Sequence, residues 1–227
     1  GIYFYSSENS SIVNNYIQTS DAIIYGVRNH QGGQNAIISG NTINITASNS
    51  NWDPHSWFSA IEAYDAIIDS NDIYMYYEGY EGINVYGIRS ERSEITNNIM
   101  DVGSNACHSA CDHYAIWNMG VGSIVDHNSI TSRYRTHGIW ASNAQISNNN
   151  INGLSNSKWA IGHGANNVIT GNTITNMSYG IQVDGQSDNV IDGNNIQVSN
   201  TGINGDGAQN LSVTNNTFEI GSGRFIS

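Results

Sequence analysis

Ile146-Ser147-Asn148-Asn149-Asn150-Ile151 is the stretch that decides the fold. It reads aliphatic, two variable residues, Asn, one variable residue, aliphatic. The same frame recurs as Ile12 to Ile17 around Asn15, Ile38 to Ile43 around Asn41, Ile68 to Ile73 around Asn71, Ile95 to Met100 around Asn98 and Val125 to Ile130 around Asn128. Further copies centre on Asn172, Asn194 and Asn216. A second frame interleaves with it, a small residue followed by an aliphatic one: Gly26-Val27, Ala60-Ile61, Gly87-Ile88, Ala115-Ile116, Gly138-Ile139, Ala160-Ile161, Gly180-Ile181 and Gly202-Ile203. Gly1-Ile2 and Phe225-Ile226 stand at the two ends.

The period is about 22 residues in the C-terminal half and stretches to roughly 30 nearer the N-terminus, which is the range of solenoid repeats. Two short strands per coil, joined by Asn, Gly and Ser turns, satisfy such a period. Each Ile then stacks on its equivalent one coil away, about 4.8 Å distant. Asn at a turn tolerates left-handed backbone, and its amide can bond the next Asn in the stack. The expectation is an all-β, right-handed parallel β-helix of about nine coils with an asparagine ladder. It forms a single domain over residues 1–227, or a segment of a longer chain. The Ile-x-x-Asn-x-Ile coil resembles the pectate-lyase-like superfamily, and especially its NosD-like surface proteins. That resemblance implies the fold, and a range of activities from lyases, hydrolases and epimerases to tailspikes and adhesins.

Composition narrows the partners. The chain has 227 residues, 11% of them charged, with a single Pro and a net charge of −12 carried against only seven basic side chains. Nucleic-acid binding draws its affinity from Lys and Arg, so that class is excluded. No run of about eighteen apolar residues is present, so no membrane span is expected. The chain opens at Gly1 rather than Met, which suggests removal of a leader or of a longer N-terminal region. Sequons at Asn9, Asn44, Asn176, Asn210 and Asn215 point towards an extracellular or cell-surface glycoprotein.

Insertions on a solenoid mark a working face. Three consecutive ones, on coils 2 to 4, span Thr46 to Ser59, Tyr74 to Tyr86 and Asp101 to Tyr114. Side by side they would wall a groove along the Gly-Ile sheet. One residue after each aliphatic of that sheet comes an outward column: Arg28, Glu62, Arg89, Trp117, Trp140, Gly162, Gln182 and Asn204. Aromatic rings beside carboxylates and guanidinium groups suit sugar rings, which offer an apolar face and a rim of hydroxyls. Two residues before the aliphatic stand Tyr25, Tyr86, Tyr114, His137, Trp159 and Tyr179, expected to point inward or pack at a corner. Asp112 aligns with Arg135 and His113 with Thr136, so His113, Tyr114, Arg135 and His137 form the candidate catalytic cluster: a base, an acid and a charge neutraliser.

Asp53-Pro54-His55 resembles the Asp-Pro-His signature of mannuronan C5-epimerases, which abstract a proton beside a uronate carboxylate, and the resemblance implies a substrate-binding role for Asp53 and His55. A turn set by Pro54 and capped by Asp53 is the alternative. Ser50 stands where that family has Tyr. Cys107 and Cys111 lie in one loop, and a local disulfide, free thiols or a metal site with His108 or His113 all remain open. No metal site is assigned, although Asp184 and Asp206 share an outward position and could bind calcium, Ca2+. The irregular residues after each ladder Asn exclude the Thr ladders of an ice-binding face. Two readings follow. One is an extracellular polysaccharide-binding or polysaccharide-processing β-helix of lyase or epimerase type. The other is a non-catalytic adhesive or structural module whose copies stack end to end through strand edges.

Overall fold

A computed structural model describes residues 1–5, 8–20, 25–30, 34–47, 57–78, 84–104, 112–154 and 157–224. Among them every regular element is a strand, and strands pair in parallel with their equivalents on neighbouring coils. Among the described residues no helix is long and apolar enough to cross a membrane. The expected parallel β-helix is the fold.

Most coils carry three strands where two were expected. The first face stacks Tyr25–His30, Trp57–Tyr64 and Asn84–Glu91. The second stacks Ser11–Val13, Ala36–Ser39, Ala66–Asp69 and Glu94–Thr96. The third is a nine-stranded sheet that includes Thr42–Ala47, Asp72–Tyr77 and Ile99–Ser104. The long strands His113–Asp126 and Thr136–Ser147 run through both the first and second faces, joining them as one sheet of 16 strands. The aliphatic three residues before each repeated Asn therefore belongs to a face of its own. What turns the chain there is the residue just before the Asn: Asn14, Gly40, Ser70, Asn97, His127, Asn148, Gly171, Gly193 and Asn215 all have positive φ. The repeated Asn itself does not adopt the left-handed geometry expected of it. Its neighbour bends, and its amide bridges coils.

The bridging is continuous. The Asn41 backbone N–H and Nδ2 both donate to Asn71 Oδ1, at 3.0 and 2.9 Å. The same pair of bonds links Asn71 to Asn98, Asn98 to Asn128, Asn128 to Asn149, Asn149 to Asn172 and Asn172 to Asn194. Each Nδ2 also donates to a carbonyl of the previous coil, as Asn98 does to Ile68 O at 2.9 Å. These amides are buried, so each leaves polar atoms that only its stacked neighbours can satisfy.

Inside, one aliphatic ladder per face fills the core. Val27, Ile61, Ile88, Ile116, Ile139, Ile161, Ile181 and Ile203 are fully buried on the first face, with Ile38, Ile68, Ile95, Ile146, Ile191 and Ile43, Ile151, Ile174, Ile196 from the other two. Full burial of such a side chain stabilises by roughly 1.5–3 kcal/mol. The small residue before each first-face aliphatic also faces inward: Ala60, Ala115 and Ala160 belong to the same core. A Cβ added at Gly138 would lie 2.9 Å from Ile151 Cγ2 and 2.4 Å from Ala160 O, so the approach of the third face demands a small residue here. Two consecutive inward residues make the strand skip one beat of its alternation. The residue two before the aliphatic is thereby placed on the outer side, together with the residue one after it.

The same skip sends His113 inward. It continues the column Phe58, Val85, His113, Thr136 and is fully buried, and neither ring nitrogen has a hydrogen-bond partner among the described residues. Burial pushes its pKa down from 6.5 to about 4, with Lys158 the next contributor.

Two outcomes follow from this packing. Asn98→Leu strips a buried junction of donors and an acceptor at about 1–3 kcal/mol per orphaned group, so urea unfolding should show a loss of about 3 kcal/mol or more, and a smaller loss for Asn216→Leu at the partly exposed last position. His113 is bound to its proton more weakly when folded than when unfolded. Its contribution is thus present above pH 6.5 and is lost as pH falls through the window to about 4. Buried His137 acts in the same sense. His113→Leu removes the orphaned nitrogens, so its unfolding midpoint should match or exceed wild type at pH 7 and exceed it further at pH 4, by up to roughly 3 kcal/mol.

Candidate functional site

The outer side of the first face carries the column read from the sequence. Arg28 pairs in register with Glu62, Glu62 with Arg89, Arg89 with Trp117, Trp117 with Trp140, Trp140 with Gly162, Gly162 with Gln182 and Gln182 with Asn204. Its N-terminal half is a packed ion network. Arg28 Nη2 and Arg89 Nη1 lie 3.4 and 3.3 Å from Glu62 Oε1, and the Tyr64 hydroxyl donates to the same oxygen at 3.3 Å. Glu62 is only 1% exposed despite its outward position, because the flanking guanidinium and phenol groups cover it. Arg28 lies over the Tyr25 ring at 4.1 Å and Arg89 over the Trp117 ring at 5.3 Å. Burial, and then Glu62, push the Tyr25 phenol up to about 12.

The C-terminal half is aromatic. Trp140 stacks on His163 with ring centroids 5.0 Å apart and planes 7° apart. Gly162 makes this possible, since a Cβ there would meet the indole at 2.3 Å. The column two residues before the aliphatic lies on this same outer side, which corrects the inward orientation expected of it. Tyr86 stacks on Tyr114 at 5.5 Å, Tyr114 on His137 at 5.1 Å, and Trp159 on Tyr179 at 4.6 Å. Tyr86 and Tyr114 are buried against these neighbours, outside the hydrophobic core.

Between the two columns lies a groove of about 350 Å³. Tyr114, Trp140, Trp159 and Tyr179 form its aromatic walls, and Asp112, His137, Lys158 and Gln182 supply the polar groups. Asp112 is the hub. Lys158 Nζ forms an ion pair with Asp112 Oδ1, and His137 Nε2 lies 3.8 Å from the same oxygen. His137 and Lys158 hold the Asp112 carboxyl well below the usual carboxylate range. Burial pushes the His137 imidazole down, and Asp112 only partly opposes it. Burial, with Asp112 adding to it, pushes the Tyr114 phenol up.

Of the candidate catalytic cluster, the fold brings Tyr114 and His137 together and turns His113 into the core. Arg135 occupies a left-handed turn, φ 55°, two residues before His137, and its charge reaches His113. Asp53, His55, Cys107 and Cys111 lie outside the described residues, as do residues 48–56, 79–83 and 105–111 of the three insertions. The flanks of those insertions are strand: Thr42–Ala47, Asp72–Tyr77 and Ile99–Ser104 each run two residues beyond the four of Ser129–Ser132. Among the sequons, Asn9, Asn210 and Asn215 are exposed in turns, Asn176 is exposed at a register shift within the third-face strand Thr173–Met177, and Asn44 lies on the third-face strand Thr42–Ala47. The Nδ2 atoms of Asn176, Asn210 and Asn215 donate to Asn152, Asp188 and Asp192 of the preceding coil. Asp184 and Asp206 are exposed on turns of adjacent coils. Sequence reasoning did not select Lys158 or His163, and it left Asp112, Trp159 and Tyr179 unassigned. Lys158 is the sole lysine of the chain, which was the available signal.

Several solved structures match the chain at low identity. A surface adhesin of Streptococcus pneumoniae matches 93% of this chain and 72% of its own at 11% identity, with a TM-score of 0.43. A periplasmic alginate epimerase matches 93% of this chain and 76% of its own at 11% identity and 0.40. An endo-xylogalacturonan hydrolase from Aspergillus tubingensis matches 99% and 87% at 8% identity and 0.33. No curated protein matches the sequence significantly. Residues 57–222 match the family model described as periplasmic copper-binding protein (NosD). That span holds the aromatic half of the outer column and the whole Asp112 groove, and it sets the chain outside the cytoplasm, in agreement with the extracellular or cell-surface setting expected from the sequence: the chain belongs to the NosD family.

Proposed function

We propose that the chain is a polysaccharide-binding β-helix that grips an extended glycan along the outer side of its first face. The observation that supports this reading is the single register running from Arg28 through Trp117 and Trp140 to Gln182. Such a column repeats at the interstrand spacing of about 4.8 Å. It offers a polymer aromatic faces for the apolar sides of its sugar rings, and hydrogen-bonding groups for the hydroxyls.

Binding is favoured over turnover. His137 and Tyr114 are the acid-base pair at the groove, yet among the described residues His137 Nδ1 is buried without a partner and Nε2 is the atom near Asp112. Among the described residues Asp112 is the one carboxylate lining the groove, and glycoside hydrolysis ordinarily needs two. Copper, which the family's description names, does not fit the described donor set. Among the described residues no three His, Cys, Asp or Glu side chains converge. Asp112, the nearest to a ligand beside His137, is engaged by Lys158, and His113 faces the core.

The test is affinity electrophoresis in gels containing extracellular polysaccharides, with product analysis by mass spectrometry. Retardation without new products is the expected result. Trp117→Ala and Trp140→Ala should each weaken it about tenfold, the scale of one lost stacking contact of about 1.4 kcal/mol, with the circular dichroism spectrum unchanged. Absence of retardation by every acidic and neutral glycan would end the reading, and released oligosaccharides would convert it to a processing enzyme.

A further inference from the structure

The groove beside Trp140 differs in kind from the column that leads to it. Along the N-terminal half of that column the polar groups are formal charges, Arg28, Glu62 and Arg89, packed against one another. In the groove, charge cancels. Asp112 and Lys158 form one ion pair, Gln182 is neutral, and burial disfavours the protonated form of His137. A uronate carboxylate entering here would compete with Asp112 for the only ammonium group. It would also sit beside the Asp112 carboxylate at the cost of like-charge repulsion. A hydroxyl-rich, uncharged ring meets no such penalty: Asp112 accepts from hydroxyls, Lys158 donates, and Gln182 does both.

The walls fit the same guest. Trp159 and Tyr179 stack on one another at 4.6 Å and 28°, forming an aromatic platform of two mutually stacked rings from adjacent coils, and the Trp140 indole lines the same groove. The cavity of about 350 Å³ is at the lower end of the range for small-ligand sites, roughly 300–1,000 Å³. Asp112 is about half exposed and Lys158 about a quarter exposed, so the ion pair is reachable from solvent while remaining fixed by its partners.

We infer that this groove is a subsite for a neutral pyranose unit, one or two rings long, held between the Trp159–Tyr179 platform and the Trp140 indole with its hydroxyls on Asp112, Lys158 and Gln182. The inference rests on the polysaccharide-binding reading and names the class of sugar. It assigns a binding role to Trp159, Tyr179, Lys158 and Gln182.

Isothermal titration calorimetry of the full chain tests it, with cello-, xylo- and mannohexaose as neutral probes and hexagalacturonate and hexamannuronate as acidic ones. At least one neutral hexasaccharide should bind, with an affinity that changes less than about twofold between low and high salt, since no net charge is being neutralised. Trp159→Ala and Tyr179→Ala should each weaken it about tenfold. Gln182→Ala, which leaves the platform and the fold intact, should weaken it several-fold. Binding of the uronates alone, with affinity falling steeply as salt rises, overturns the inference and leaves the polysaccharide reading standing. So does neutral binding that ignores all three variants yet is lost in Trp117→Ala. Absence of binding by every probe removes both.

Discussion

The buried asparagine at the corner between the second and third faces is the constraint on which the rest depends. A parallel solenoid must fold each coil back onto the last in the same register, and apolar ladders alone tolerate sliding, because one Ile stacks on another with little preference for position. The amide does not slide. Its Oδ1 accepts from both the backbone and the side chain of the neighbouring Asn, and its Nδ2 reaches back to a carbonyl of the coil on the other side. Displacement by one residue would leave several buried polar atoms unsatisfied at each corner, a cost far above that of shifting an aliphatic contact. Coils as different in length as those around Asn71 and Asn172 are therefore held to one frame.

Register fixed at one corner becomes register on the opposite face. Arg28, Glu62, Arg89, Trp117 and Trp140 come from coils of unequal length, with insertions between them, yet they stand in one column. The inserted residues leave and return at the same places, since the core beneath accepts only the small residue and the aliphatic that follows it. That pair has a second consequence. Two inward residues in succession leave two outward columns three residues apart, and the valley between them is where a groove can form. The binding surface is thus a product of how tightly the first and third faces approach, as Gly138 against Ile151 illustrates.

What the sequence made legible follows from this. The Ile-x-x-Asn-x-Ile frame and the column one residue after each aliphatic are periodic in residue type, and both are found where they were expected. The third strand of each coil was hidden because the bend before each Asn has no single residue type. Asn97, His127 and Gly193 all take it, each at positive φ. The placement of the aromatic column was hidden because strict alternation breaks at the small residue. His113 was misplaced for the same reason. Lys158 was invisible to pattern because its partner Asp112 is 46 residues away, beyond the neighbouring coil.

The triplet Asp112-His113-Tyr114 shows how one backbone path produces both the site and its liability. Its carboxylate sits on the groove rim, its imidazole in the core and its phenol in the groove wall. The imidazole has no hydrogen-bond partner among the described residues, a defect that an aliphatic residue would remove. The defect is bounded, because burial lowers the pKa of this imidazole to about 4 and so keeps it neutral near pH 7, and a buried neutral ring loses hydration only, whereas a charged one would lose far more. Lys158 adds to that bound by disfavouring protonation of His113, and Asp112 opposes it, so the two charges at the rim largely offset each other at the core and burial itself keeps the imidazole neutral. The same offset leaves the groove without net charge.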